Sequence, residues 1–145
     1  MLNRNYYKNK LEEHKYKPNY LRNMIYAFLF GGFIAIIGQS LIELYSLFFD
    51  NEMSRSLMTV TLIFISSLLT ALGIFDSIGQ IALAGTIVPI TGFANSLTSA
   101  ALESKQEGIV LGIGCNMFKL AGTVITFGIV SAYFLGIIRY LVGLI

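Results

Sequence analysis

Charge is scarce in this sequence, with 12% of its 145 residues ionised against 55% hydrophobic. A soluble domain carries roughly twice that share of charge to cover its outside. Lipid is therefore the expected covering. Cysteine is nearly absent as well: the single Cys115 lies in an apolar stretch, which excludes an internal disulfide framework and leaves the redox compartment unread. Also missing are a paired-histidine motif, a phosphate-binding glycine-lysine loop, a nucleophile elbow and a cluster of metal ligands. An intramembrane enzyme needs at least two matched reactive groups in one site. None stand out, so the expectation is no enzyme, no cofactor and no metal.

The charge that is present is unevenly placed. Residues 1–23 hold six Lys or Arg against Glu12 and Glu13, while the rest of the chain is slightly acidic. This divides the chain into a basic N-terminal cytoplasmic arm, 1–23, and a transmembrane helical domain, 24–145. The arm suits anionic headgroups better than nucleic acid, since each basic residue near a lipid surface contributes about 1 kcal/mol. His14, among Lys15, Tyr16 and Lys17, reads as solvated. No short apolar run ends in a small-residue cleavage site, so the first apolar segment is expected to be retained.

The expected fold class is all-α: a polytopic helical membrane protein with three to four transmembrane helices, including a Pro-broken or re-entrant segment. A spanning helix needs ~20 mainly apolar residues. Met24 to Ile42 and Leu57 to Phe75 meet this, separated by a polar turn containing Asp50, Asn51, Glu52 and Arg55. Ser54 or Ser56 is expected to cap the second helix. The positive-inside bias keeps the arm cytoplasmic and puts the turn across the membrane.

From Ser77 to Leu102 the chain is uncharged yet interrupted by polar residues and by Pro89. Proline removes a backbone donor and clashes with the preceding turn, so a helix from Ser77 to Val88 stops or kinks there, and Thr91 caps the next. Each piece is ~17 to 20 Å long at helical rise. A re-entrant pair of half-helices and one kinked span fit equally. Beyond it, Ser104 to Glu107 has capping-box spacing and predicts the start of a helix reaching about Tyr140.

Polar residues within such segments are costly unless they face protein or water. Gly112, Asn116, Lys119, Thr123 and Thr126 recur at intervals of four and three, which places them on one helix face. They line a hydrated path with the Lys119 ammonium attracting an anion, or Lys119 and Arg139 snorkel to opposite interfaces. In the Pro89 segment the break exposes N–H groups near Ile90 to Gly92, which favour an anion, and Asn95, Ser96, Thr98 and Ser99 supply neutral polar groups. Tight packing between small residues is the plainer account. Gln39 and Gln80, each in an "IGQ" triplet, line a pore or make ordinary interhelical bonds, while Glu43 and Asp76 sit at span ends. The candidate pathway residues are thus Lys119, Asn116, Thr123, Asn95, Ser96, Gln39 and Gln80, with Pro89, Thr91 and Gly92 as the structural break.

The segments "GIFDSIGQIALAGTIVPITGFANSLTSAALE", "EGIVLGIGCNMFKLAGTVITFGIVSAYFLGIIRY" and "YKPNYLRNMIYAFLFGGFIAIIGQ" resemble the stage V sporulation protein AC family of spore-forming bacteria. The resemblance runs from about Leu11 onward. It implies membership of the sporulation stage V A membrane complex of the inner spore membrane, whose AC-like subunit is a channel component for dipicolinic acid as its calcium chelate. It implies as partners an AE-like membrane subunit and a soluble dipicolinate-binding AD-like subunit; in a spore membrane the cytoplasmic side on which the positive-inside bias keeps the arm is the spore core. The expected function is gated conduction of dipicolinate into the forespore and out at germination, by an oligomer or mixed-subunit pore. The rival is a non-conducting assembly or anchoring subunit of the same complex.

Overall fold

The computed structural model describes Lys10 and residues 19–143. Most of the basic arm, His14 included, lies outside the described residues, which are helical and contain no strand. Among the described residues three helices are long and apolar enough to cross a membrane: Tyr20–Ser46, Asn51–Ala71 and Ile109–Gly143. Between the second and third lies a broken segment of shorter helices. The chain is an all-α polytopic membrane protein.

Helix α1, Tyr20–Ser46, exceeds the expected span at both ends. Asn19 caps it, its side-chain oxygen accepting from the Arg22 N–H at 3.4 Å. Helix α2, Asn51–Ala71, starts six residues before the predicted Leu57. Asp50 stands at its N-cap in extended conformation, so the polar turn residues are already helical. Ser54 and Ser56 are therefore inside the helix and not caps, their hydroxyls donating back to the Asp50 and Glu52 carbonyls at 2.9 and 3.0 Å. Hydropathy marks where lipid begins, whereas backbone hydrogen bonding decides where the helix begins. The two helices pack antiparallel, with Tyr45 and Thr61 hydroxyls 2.8 Å apart near the connecting turn.

At the far end of α2, Gly73 takes a left-handed conformation (φ 72°) that a glycine adopts without strain and turns the chain. Helix α3 then runs Ile74–Ala82, α4 is the single turn Ala84–Ile87, and α5 runs Ile90–Glu103. The expected helix from Ser77 to Val88 is thus broken before Pro89 is reached. Leu83 has φ 52° and ψ −128°, a conformation costly for a side chain with a Cβ. Pro89, extended at ψ 171°, makes the second break and is itself the N-cap of α5. Thr91 does not cap: it lies in the first turn, and its hydroxyl donates back to the Thr86 carbonyl at 3.2 Å.

Whether this segment crosses the membrane follows from register. Ser66 of α2 bonds the Thr91 carbonyl, and one turn on Thr70 contacts Asn95. Position rises together in both helices, so α2 and α5 run parallel. Both therefore end on the side where α1 begins. The chain leaves α2 and leaves α5 on the same face, which makes 72–103 a re-entrant hairpin and not a kinked span.

The capping box expected at Ser104 does not form. A 3-10 turn occupies Lys105–Glu107, Gly108 at φ 95° breaks the chain, and a π-helical stretch, Ile109–Gly114, leads into helix α6, Cys115–Gly143. Glycine permits that left-handed step, which no cap could substitute for. The apolar run Ile109–Gly143 is 35 residues. At ~1.5 Å per residue it is about 50 Å long and outreaches the hydrocarbon core. It returns antiparallel to α5 and ends on the face opposite the arm.

Candidate functional site

The hairpin tip is the most irregular backbone in the described chain, and small residues let it sit deep. Gly85 is buried against α1, where an added Cβ would overlap the Ala27 carbonyl oxygen and lie 3.0 Å from the Gly31 nitrogen. Gly92 is likewise covered by the Ile87 carbonyl group, with no room for a side chain. Sequence reading placed Gly92 at the break, and the structure gives the reason: the chain doubles back over it.

Broken backbone at membrane depth needs internal partners, because lipid supplies none. Five buried hydroxyl residues include the four that meet this need here: Ser66, Thr70, Thr86 and Thr91. Ser66 Oγ donates to the Thr91 carbonyl at 2.6 Å. Thr70 Oγ1 lies 2.8 Å from both the Ser66 carbonyl and Asn95 Oδ1. A hydroxyl has one proton and donates to one acceptor at a time. When it serves Ser66, the Asn95 amide meets Thr70 by turning its NH2 group toward the hydroxyl oxygen. No buried side-chain nitrogen or oxygen among the described residues lacks a partner.

Three hollows surround the hairpin. A half-enclosed apolar pocket of about 240 Å³ lies between α1, α2 and the tip, where Phe33, Ile37, Leu62 and Phe75 face the Ser66, Thr86 and Thr91 side chains. A more open cleft of about 330 Å³ separates α3 from α5 and gathers Asp76, Gln80 and Asn95. On the other flank, a cleft of about 670 Å³ runs between the Ile87–Gly92 stretch, Ser96 and the α6 residues Ala121, Val124 and Ile125.

The candidate residues are distributed unequally over this framework. Asn95 and Gln80 share the polar cleft. Pro89, Gly92 and Ser96 line the cleft toward α6, with the Ser96 hydroxyl turned back to the Gly92 carbonyl at 3.0 Å. Thr91 faces the apolar pocket. Asn116 stands apart at the base of α6, donating to Ser104 Oγ at 2.7 Å and to the Gly112 carbonyl at 3.2 Å. Lys119 is exposed, and Thr123 satisfies its hydroxyl on the Leu120 carbonyl at 2.8 Å. Lys119, Thr123 and Thr126 occupy a face of α6 turned away from Ala121 and Val124, the residues that meet α5. Gln39 bonds Glu43 one turn along α1 at 3.2 Å, on exposed surface. Ser66, Thr70 and Leu83 escaped the sequence reading. A signal for the first two existed: their spacing of four matches that of Thr91 and Asn95.

A spanning bundle wrapped around a re-entrant, twice-broken helix defines an integral membrane protein whose polar groups concentrate at a half-helix end. Residues 23–138 match the family model described as SpoVAC/SpoVAEB sporulation membrane protein. The chain belongs to that family. It is 57% identical over 136 residues to Stage V sporulation protein AC of Bacillus subtilis (strain 168), covering 92% of this chain and 91% of the relative. No solved structure matches it.

Proposed function

We propose that this chain is a channel subunit of a spore membrane complex that conducts dipicolinate, as its calcium chelate, into the forespore and out again at germination. The observation that carries this reading is the re-entrant hairpin. Its α5 N-terminus lies at the level of Ser66, well inside α2. The positive end of a half-helix favours an anionic group, and a substrate bearing two carboxylates fits that field. The polar cleft of Asp76, Gln80 and Asn95 opens on the arm side of the tip, where the two amides offer neutral donors. Lys119 raises the local concentration of the anion from the α6 surface.

The protein works in the inner forespore membrane with its basic arm on the spore-core side. One chain supplies little wall for a conduit, and α6 beyond Ile125 has no buried residue of its own. The wall is completed by further copies, by an AE-like membrane subunit, or by both, and an AD-like soluble subunit delivers dipicolinate. Reconstitution tests this. Vesicles loaded with dipicolinate and holding this chain, alone and with the AE-like subunit, are expected to release it faster than empty vesicles. Release by neither preparation refutes conduction.

A second reading is favoured by the completeness of the hydrogen bonding around the hairpin. An assembly or anchoring subunit needs a fully satisfied core and no water path. Co-purification with the complex without flux in any combination selects it.

A further inference from the structure

Resting on the conduit reading above, we propose that α5 is the moving part: it slides by one helical turn along α2, exchanging its present polar partners for a second set already in place. In the structure Ser66 pairs with the Thr91 carbonyl and Thr70 with Asn95. The two α2 hydroxyls are four residues apart, and so are their partners on α5. One turn further along α5 stand Thr98 and Ser99, both half-buried. A slide of four residues places Asn95 opposite Ser66 and Thr98 or Ser99 opposite Thr70. Every donor on α2 then has an acceptor again, so the intermediate register alone is unsatisfied, as in helix ratchets that move by a whole turn.

Three observations favour motion on this element. The α5 residues bonded to α2 are Thr91 and Asn95, whose short polar side chains put no large knob between the helices at these points. The Thr70 hydroxyl has the Ser66 carbonyl as an alternative acceptor at 2.8 Å, so loss of Asn95 leaves it with a partner. Both ends of α5 carry slack. The extended Pro89 and the turn α4 precede it, and the 3-10 turn, Gly108 and the π-helical stretch follow it. In that stretch the Gly108 carbonyl accepts from both Gly112 and Ile113, at 3.2 and 3.1 Å. Such a shared bond passes from one helix type to the other without losing a partner. The slide carries the Leu83–Pro89 tip about 6 Å toward the face opposite the arm. That displacement opens the cleft beside α6 and moves the α5 N-terminus along the conduit.

Disulfides read the register, because they bridge only Cα atoms less than ~7 Å apart, and a one-turn shift exceeds that tolerance. The proteins carry Cys115→Ser together with Thr70→Cys and one of Asn95→Cys, Thr98→Cys or Ser99→Cys, in vesicles loaded with dipicolinate. The 70–95 bridge is expected to form at rest, to lower efflux at least tenfold and to release it on reduction. A 70–98 or 70–99 bridge is expected to form in the same membranes and to leave efflux at or above the reduced level. Equal efflux from bridged and reduced 70–95 protein overturns the slide. If the Cys115→Ser parent releases nothing, the conduit reading fails separately, and the bridges alone decide: formation at 98 or 99 supports the second register, and its absence refutes it.

Discussion

Gly85 of the hairpin tip rests directly on the Ala27 backbone of α1, where an added Cβ would overlap the Ala27 carbonyl oxygen. In the register of the structure this contact sets how deep the tip sits. The neighbouring wall belongs to backbone and cannot give way by a rotamer change.

Gly85→Ala is therefore expected to destabilise the fold by about 1–3 kcal/mol, the usual cost of overpacking. Gly32→Ala is the control, because nothing lies within 4 Å of its added Cβ. There the helix gains, by up to ~1 kcal/mol. Thermal unfolding of the two variants in one detergent should move their midpoints in opposite directions; a matching shift contradicts the close approach.

Ser66→Ala removes a buried hydroxyl bond to the Thr91 carbonyl, which keeps its partner within α5. Loss of such a bond costs about 0.5–1.5 kcal/mol. Ser56→Ala removes only a bond from an exposed hydroxyl to a carbonyl of its own helix and is expected to fall within ~0.5 kcal/mol of the parent. Unfolding measurements that rank the two equally would show that the Ser66 bond is replaced by another donor.

Leu83 is the residue whose backbone is least suited to its side chain. Leu83→Val adds β-branching at positive φ and is expected to be markedly less stable than Leu83→Gly, which loses half-buried apolar area but releases strain of order 1–3 kcal/mol. The comparison is made by unfolding midpoint. A valine variant as stable as the glycine variant would mean that the tip has changed conformation.

Much of this architecture was legible in the sequence, because long uncharged runs and a proline have strong physical meanings in lipid. The existence of the spans and the Pro89 break came from that. What escaped depended on partners distant in the chain. Leu83 carries no local sign of its positive φ. The choice between kink and re-entrant hairpin hung on Ser66 and Thr70, ordinary span hydroxyls until Thr91 and Asn95 are set beside them. Ser54 and Ser104 looked like caps because capping spacing is short and common. Of the pathway candidates, Asn95 and Gln80 meet in one cleft, whereas the regular stripe through Lys119 lies on a different flank, a separation that helical periodicity alone does not reveal.

The hairpin topology also makes a prediction about sidedness. Single cysteines at Lys105 and at Tyr20, with Cys115 replaced by serine, are expected to react with an impermeant maleimide from the same side of the bilayer. A cysteine at Gly143 should react from the other. Tyr20 and Gly143 labelling from one side, with Lys105 from the other, would require 72–103 to cross completely, against the parallel register of α2 and α5.

Lys119 supplies the sharpest functional test, because its place in the fold admits two physical roles. It lies on the α6 face turned away from α5, one turn beyond Asn116, and is exposed within the single chain. Facing a water-filled passage completed by other subunits, its ammonium attracts dipicolinate, and Lys119→Met is expected to slow release about tenfold, equivalent to ~1.4 kcal/mol. Lys119→Arg should keep most of the rate. The difference between lysine and methionine should shrink as salt rises, since a hydrated charge is screened over ~10 Å at 0.1 M. Snorkelling at an interface predicts something else: rates alike for all three residues at every salt concentration, with only the yield of inserted protein changed. Efflux measured per inserted protein therefore separates attraction of the anion from anchoring of the helix.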